Sequence, residues 1–379
     1  MKSKILVLDE PLCRLDPEGA QEVVIVLKKL QTIHEITVIM ACAESEMMAK
    51  YADRVCVLNN GRIAALGGAR KILDDDELLE KNGIQPLIKN INLSENTNPK
   101  KKIEEAQLKQ CAQLKQCAQK EILSTNAEFP FAGTIPLFSA GNFAGCSAGE
   151  KKTKKEAIII KNLKFSYTND ISIKNINLTI YDNDFTAIIG RNGSGKTTLL
   201  KNITGLLRPD SGEIFIRGKN IKKMSAAEIS KKAGFVMQNP DTQLFSDSVY
   251  NEAAFALKNL KIPKPEIEKR VNDALVKTGL ENNAEDYPHS LSRSDRVKIV
   301  IACVLAMGCK IIIFDEADAG NDYPGNKKIM NIACDLHSKG FTIIFITHNM
   351  FLANEYAHRI VKMERDGIVS DIIIKESTA

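Results

Sequence analysis

The sequence predicts an α/β protein in which a complete domain, with a mixed sheet and a helical insertion, is preceded by a partial copy of the same domain. Three observations predict it. A short apolar strand ending in an acid pair occurs twice, at ILVLDE (Ile5 to Glu10) and IIIFDE (Ile311 to Glu316). The surrounding chain aligns without a gap, MKSKILVLDEPLCRLDPEG (Met1 to Gly19) against MGCKIIIFDEADAGNDYPG (Met307 to Gly325). Only the second copy is preceded by a strand, Phe185 to Ile189, that runs into a glycine-rich loop and then an apolar-periodic helix.

In chain order, the first element is Ile5 to Leu8, a continuous apolar run of the kind buried on both faces of a parallel sheet, which delivers Asp9 and Glu10 to its C-terminal end. Open α/β sheets gather their chemistry at such ends. The match continues from TVIMACAESE (Thr37 to Glu46) to TIIFITHNMF (Thr342 to Phe351), and from YADRVCVLNNGRI (Tyr51 to Ile63) to YAHRIVKMERDGI (Tyr356 to Ile368). Both copies therefore read as strand, helix, strand, helix, strand. Residues 157–306 have no counterpart before Met1, so the chain is expected to be a tandem form truncated at its N-terminus, or begun at an internal start. Its expected divisions are 1–90, the C-terminal half of one domain; 91–154, a flexible linker; and 155–379, a whole domain with its helical insertion at about 240 to 305.

The linker is rich in Lys, Gln, Asn, Ser and Gly, and repeats AQLKQC at Ala106 to Cys111 and Ala112 to Cys117. A six-residue period does not keep Leu108 and Leu114 on one helix face, so no coiled coil is expected. The uncharged stretch Phe129 to Gly149 carries Pro130, Pro136 and several glycines, and reads as linker rather than membrane span. With 379 residues, 44% hydrophobic and 26% charged, the chain has the composition of a soluble globular protein. A formal charge of +5, partly in local lysine runs, does not support nucleic-acid binding. Nine cysteines without a C-x-x-C pair, and five histidines away from them, argue against a zinc site or a disulfide framework and for a reduced, cytoplasmic setting.

The loop Gly190-Arg191-Asn192-Gly193-Ser194-Gly195-Lys196-Thr197-Thr198 has the pattern G-x-x-x-x-G-K-T of a phosphate-binding loop, or P-loop. Its glycines let backbone N–H groups close around a β-phosphate, Lys196 reaches the β- and γ-phosphates, Thr197 offers a hydroxyl to Mg²⁺, and the helix N-terminus adds its dipole. On the second acid-bearing strand, Asp315 is placed to hold Mg²⁺ through water and Glu316 to polarise an attacking water. His348 follows the strand Phe341 to Thr347 at the same sheet edge, within reach of a γ-phosphate.

Residues 155–379, and 1 to about 90 as the end of a second copy, resemble the ATP-binding cassette ATPases. The resemblance implies a P-loop NTPase fold with a mixed sheet and helical subdomain, ATP and Mg²⁺ as cofactors, Tyr167 stacked on adenine, and Gln238 as the glutamine that senses Mg²⁺ and the transmembrane partner. QNPDTQLF, YPHSLS and DDDELLEKNGIQPL (Asp74 to Leu87) are similar to the energy-coupling-factor branch, which powers uptake of metal ions and vitamins. That branch implies a membrane-spanning transporter subunit and a second ATPase domain as partners, and a peripheral position on the inner face of the cell membrane. The resemblance leaves the solute open.

Two departures stand against the pattern. Where the family has the signature L-S-G-G-Q, this chain has Leu291-Ser292-Arg293-Ser294-Asp295, and where the first copy would carry a switch histidine it has Ala43. Side chains on Arg293 and Ser294 are expected to crowd a γ-phosphate held by an opposing domain, and Asp295 to add like charge. In the head-to-tail packing that the resemblance implies these losses fall in one site, and the complete half-site has only LSRSD to close against in a homodimer, so slow turnover is expected of the chain alone. An ATP-binding regulatory or assembly module, or a decayed fragment, stays open as the alternative.

Overall fold

The computed structural model describes residues 4–12, 15, 17–87, 154–168, 171–365 and 367–374. The AQLKQC repeat and the proline- and glycine-containing stretch of the expected linker lie outside the described residues. The first copy forms β1 (Ile5–Asp9), α1 (Pro17–His34), β2 (Thr37–Ala41), α2 (Ser45–Tyr51), β3 (Arg54–Asn59), β4 (Arg62–Gly68), α3 (Ala69–Leu73) and α4 (Asp76–Lys81). The second stretch opens with β5 (Glu156–Thr168), β6 (Ile171–Tyr181), β7 (Phe185–Gly190), α5 (Lys196–Ile203), β8 (Ser211–Ile216), β9 (Lys219–Asn220), α6 (Ala226–Ser230) and β10 (Ala233–Val236). It continues through α7 (Val249–Asn259), α8 (Lys264–Thr278), α9 (Arg293–Ala306), β11 (Ile311–Asp315), α10 (Tyr323–Ser338), β12 (Thr342–Ile346), α11 (Met350–Tyr356), β13 (Arg359–Glu364) and β14 (Gly367–Ile373).

A six-stranded sheet of order β10-β11-β12-β7-β13-β14 carries the second stretch, parallel throughout except for the β13–β14 hairpin. Its strands are apolar on both faces because both faces are covered. Ile312, Phe314, Ile343 and Phe345 join one core with α7, α8 and α9, while Ile311, Ile313, Ile344 and Ile346 join a second with β5, β6, β8 and α5. The alternation is the two-residue side-chain period of a strand. Two helices of the insertion, α7 and α9, start on capping serines: Ser248 accepts from the Asn251 N–H, and Ser292 from the Asp295 N–H.

The first copy repeats this geometry in register. β1 pairs parallel with β2 from Ile5 opposite Thr37, as β11 pairs with β12 from Ile311 opposite Thr342. The hairpin β3–β4 shifts register after Val57, and β13–β14 shifts after Lys362, its counterpart. The difference lies between β2 and β3. In the complete sheet β7 stands there, joining β12 to β13; among the described residues of the first copy no strand takes that place, and the sheet is two separate pairs. Ile5, Val7 and Ile39 are consequently 56%, 68% and 54% exposed, while their counterparts Ile311, Ile313 and Ile344 are fully buried. Among the described residues no helix is long and apolar enough to cross a membrane.

Helix α9 lies against β10 where Gly234 has no side chain, and a Cβ at that position would overlap Val304. Gly234→Ala should therefore lower stability by about 1–3 kcal/mol, the usual result of overfilling a packed contact. Thermal unfolding of the two proteins measures it, and equal midpoints would mean that α9 can shift away from the sheet without cost.

Candidate functional site

The C-terminal edge of the sheet assembles the site. β7 ends at Gly190, whose φ of 154° and contact with the Met363 carbonyl leave no room for a Cβ. The chain then turns through exposed Arg191, Asn192 and Gly193, with the Ser194 N–H bonded to the Arg191 carbonyl, and enters α5 from Gly195 in the left-handed region. Lys196 is 4% exposed, and its ammonium donates to the Gly190 and Arg191 carbonyls at 2.8 and 2.9 Å. Its charge thus sits inside the loop, with Thr197 and Thr198 following on the first turn of α5. The buried Ser194 hydroxyl, packed against Gly190, has no hydrogen-bond partner.

From the neighbouring strands come two carboxylates with opposed environments. Asp315, the last residue of β11, accepts a 2.9 Å hydrogen bond from the Thr197 hydroxyl. Burial first, and the adjacent Glu316 second among the raising influences, push its carboxyl above the usual aspartate value although Thr197 opposes them. Glu316 is held the other way: its hydrogen bond with His348 keeps its carboxyl below the usual glutamate value against partial burial. One Glu316 oxygen lies 3.1 Å from His348 Nε2, and the other accepts from Gln238 Nε2 at 2.8 Å. Its φ of 49° is unusual for a residue with a Cβ and aims the side chain at both partners.

Lys196, Thr197, Asp315, Glu316, Gln238 and His348 are thus brought to one edge by β7, β10, β11 and β12. Tyr167, expected beside adenine, is 51% exposed and braced edge-on by Phe165 at 4.9 Å between ring centroids. Among the described residues no three His, Cys, Asp or Glu side chains cluster as a metal cage. The oxygen pair Thr197 and Asp315, one of them a buried carboxylate, fits a hard cation that takes its other ligands from phosphate and water.

Sequence reasoning missed a supporting layer. Asp318 is partly buried, its carboxyl pushed up to about 6 by desolvation, and it accepts a 2.7 Å hydrogen bond from the Thr347 hydroxyl, fixing the loop that carries His348. Asn349 caps α11 through the Phe351 and Leu352 N–H groups and donates to Gln85 of the first copy at 2.7 Å. The signal for Asp318 was its place two residues after Glu316, in DEAD.

The signature segment also differs from expectation in where its side chains go. Arg293, expected to crowd an opposing phosphate, folds into its own domain and donates to the Ala319 and Gln238 carbonyls. Asp295, expected to add like charge, is paired at 2.7 Å with Lys298. Burial would raise its carboxyl, but hydrogen bonds from Lys298 and Ser292 outweigh that and hold it below the usual value.

Residues 173–319 match the family model described as ABC transporter. An ABC transporter ATP-binding protein of Caldanaerobacter subterraneus is 33% identical over 378 residues, 98% of this chain but 64% of that relative, so the chain spans less than two thirds of its length. The energy-coupling factor transporter ATP-binding protein EcfA of Methanocaldococcus jannaschii is 40% identical over 219 residues, covering 57% of this chain and 78% of that protein. Among solved structures, CbiO1 of Clostridium perfringens, part of the ABC transporter complex cbiONQ, superposes with a TM-score of 0.54 at 35% identity, covering 57% of this chain and 88% of that one. With the P-loop, the acid pair and the glutamine and histidine meeting at one sheet edge, these likenesses lead to one conclusion: the chain belongs to the family of ABC transporter ATPases.

Proposed function

We propose that residues 155–379 bind ATP with Mg²⁺ and hydrolyse it to drive uptake through a separate membrane-spanning subunit, in the manner of an energy-coupling-factor importer of a metal ion or vitamin. The observation that carries the reading is the convergence of the buried Lys196 ammonium, the Thr197–Asp315 pair and the Gln238–Glu316–His348 cluster on one edge. Lys196 exchanges its two loop carbonyls for phosphate oxygens, and the orphan Ser194 hydroxyl gains a partner when the nucleotide binds. Thr197 and Asp315 would hold the cation, with Gln238 as its expected third contact, and a bound cation would supply stabilisation of phosphoryl charge there. Glu316, ionised because His348 stabilises its charge, accepts a proton from the attacking water, and His348 turns from Glu316 to the γ-phosphate. Tyr167 contributes a face for the adenine.

A peripheral place on the inner face of the membrane follows from this reading. Phe245 and Phe255, 63% and 43% exposed and stacked edge-to-face beyond Gln238, supply an apolar surface for the membrane subunit. Residues 1–90 correspond to the C-terminal half of a second ATPase domain, 91–154 to the connection, and a further ATPase domain completes the nucleotide site. A second reading, an ATP-binding module with little turnover, is favoured by the inward use of Arg293 and by Ala43 in the switch position of the first copy.

Lys196→Ala should weaken binding of labelled ATP about 10²-fold, since a buried charged donor loses its phosphate partners; unchanged affinity would remove the loop from the nucleotide site. Glu316→Gln should retain ATP while phosphate release falls roughly 10²- to 10⁴-fold, the usual cost of losing a general base. Equal release by the variant and its parent would assign the measured activity to another protein.

A further inference from the structure

The guanidinium of Arg293 bridges the loops that follow the paired strands β10 and β11. From the first turn of α9 its Nε donates to the Ala319 carbonyl at 2.9 Å and its Nη2 to the Gln238 carbonyl at 2.8 Å. Both acceptors are one step from Glu316. Gln238 touches the Glu316 carboxylate with its own side chain, and Ala319 closes a turn by donating its N–H to the Glu316 carbonyl at 3.0 Å. We propose that Arg293 is a positioning residue, clasping the loop after β10 to the loop after β11 and so keeping Gln238 on Glu316.

Three features argue for a built contact. The two acceptors face different donors of one planar fork, a geometry that a lysine ammonium on its flexible stem does not reproduce. The side chain passes over Gly320, where a Cβ would stand 3.1 Å from Nε, so the loop leaves room for it. A cation in the first turn also opposes the helix dipole, so helix formation gives no reason for arginine here, whereas two carbonyl partners do. The segment that would otherwise face an opposing domain is instead tied to the catalytic edge of its own. Any displacement of α9 is thereby transmitted to Gln238.

The inference rests on the ATPase reading, and a double-mutant cycle on the full chain tests it. With protein in excess over labelled ATP and Mg²⁺, Arg293→Ala should slow single-turnover hydrolysis about tenfold, the scale of one lost charge-assisted hydrogen bond, with ATP affinity changed less than about twofold. In a Gln238→Ala background the same substitution should cost less than about twofold. Arg293→Lys, which cannot span both carbonyls, should behave as Arg293→Ala. Equal losses in both backgrounds, faster or unchanged hydrolysis in Arg293→Ala, or parental rates in Arg293→Lys would each overturn the proposal. Amide hydrogen exchange on the nucleotide-free chain reads the clasp without turnover. Arg293→Ala should raise exchange both around Gln238 and across residues 316–320, and unchanged exchange in either segment would overturn the clasp whatever the ATPase assays show. Raised exchange in Arg293→Ala, together with a parent chain that binds no ATP, would instead keep the clasp and sink the ATPase reading.

Discussion

The structure depends on β7 lying between β12 and β13. A mostly parallel sheet is covered on both faces, and β7, paired with β12 on one side and β13 on the other, supplies the middle of the ladder while its C-terminus becomes the P-loop. The first copy shows the same strands without that neighbour. β1 pairs with β2 and β3 with β4 in the registers of the complete sheet, yet nothing among the described residues joins the two pairs, and their isoleucines and valine are exposed. Local pairing therefore survives without β7, but continuity and burial do not.

The edge that gathers the candidate site gives adjacent carboxylates different surroundings. Asp315 points into the sheet edge against Thr197 and is pushed up by burial, while Glu316, one residue on, turns through a left-handed backbone toward Gln238 and His348 and is pulled down. The turn itself belongs to the strand end and not to the chemistry. Glu10 has a φ of 44° and bonds its N–H to the Ala41 carbonyl, as Glu316 bonds to that of Ile346, although Ala43 offers no imidazole to it.

The signature segment changes meaning between one dimension and three. Read along the chain, LSRSD is a loss: arginine for glycine and a carboxylate near phosphate. In the structure the carboxylate is neutralised by Lys298, and the arginine supports the loops on either side of Glu316. A lysine three residues on and two carbonyls 55 and 26 residues away decide this, and no local pattern contains them.

By itself the sequence determined the repeat, the α/β class and the phosphate-binding loop. Each rests on short-range physics: apolar runs long enough only for strands, an acid pair at a strand end, and glycines where Gly190 has to pass a carbonyl. Gln238 carried no local signal and was legible only through resemblance to a family. The tertiary structure alone decided that Glu316 has both oxygens engaged, that Asp318 and Asn349 brace the histidine loop, and that Arg293 faces inward. The reason is physical. Strand and loop conformations are chosen by neighbours within a few residues, whereas a polar side chain's direction is chosen by whichever partner the fold brings within about 3 Å, however distant in the chain.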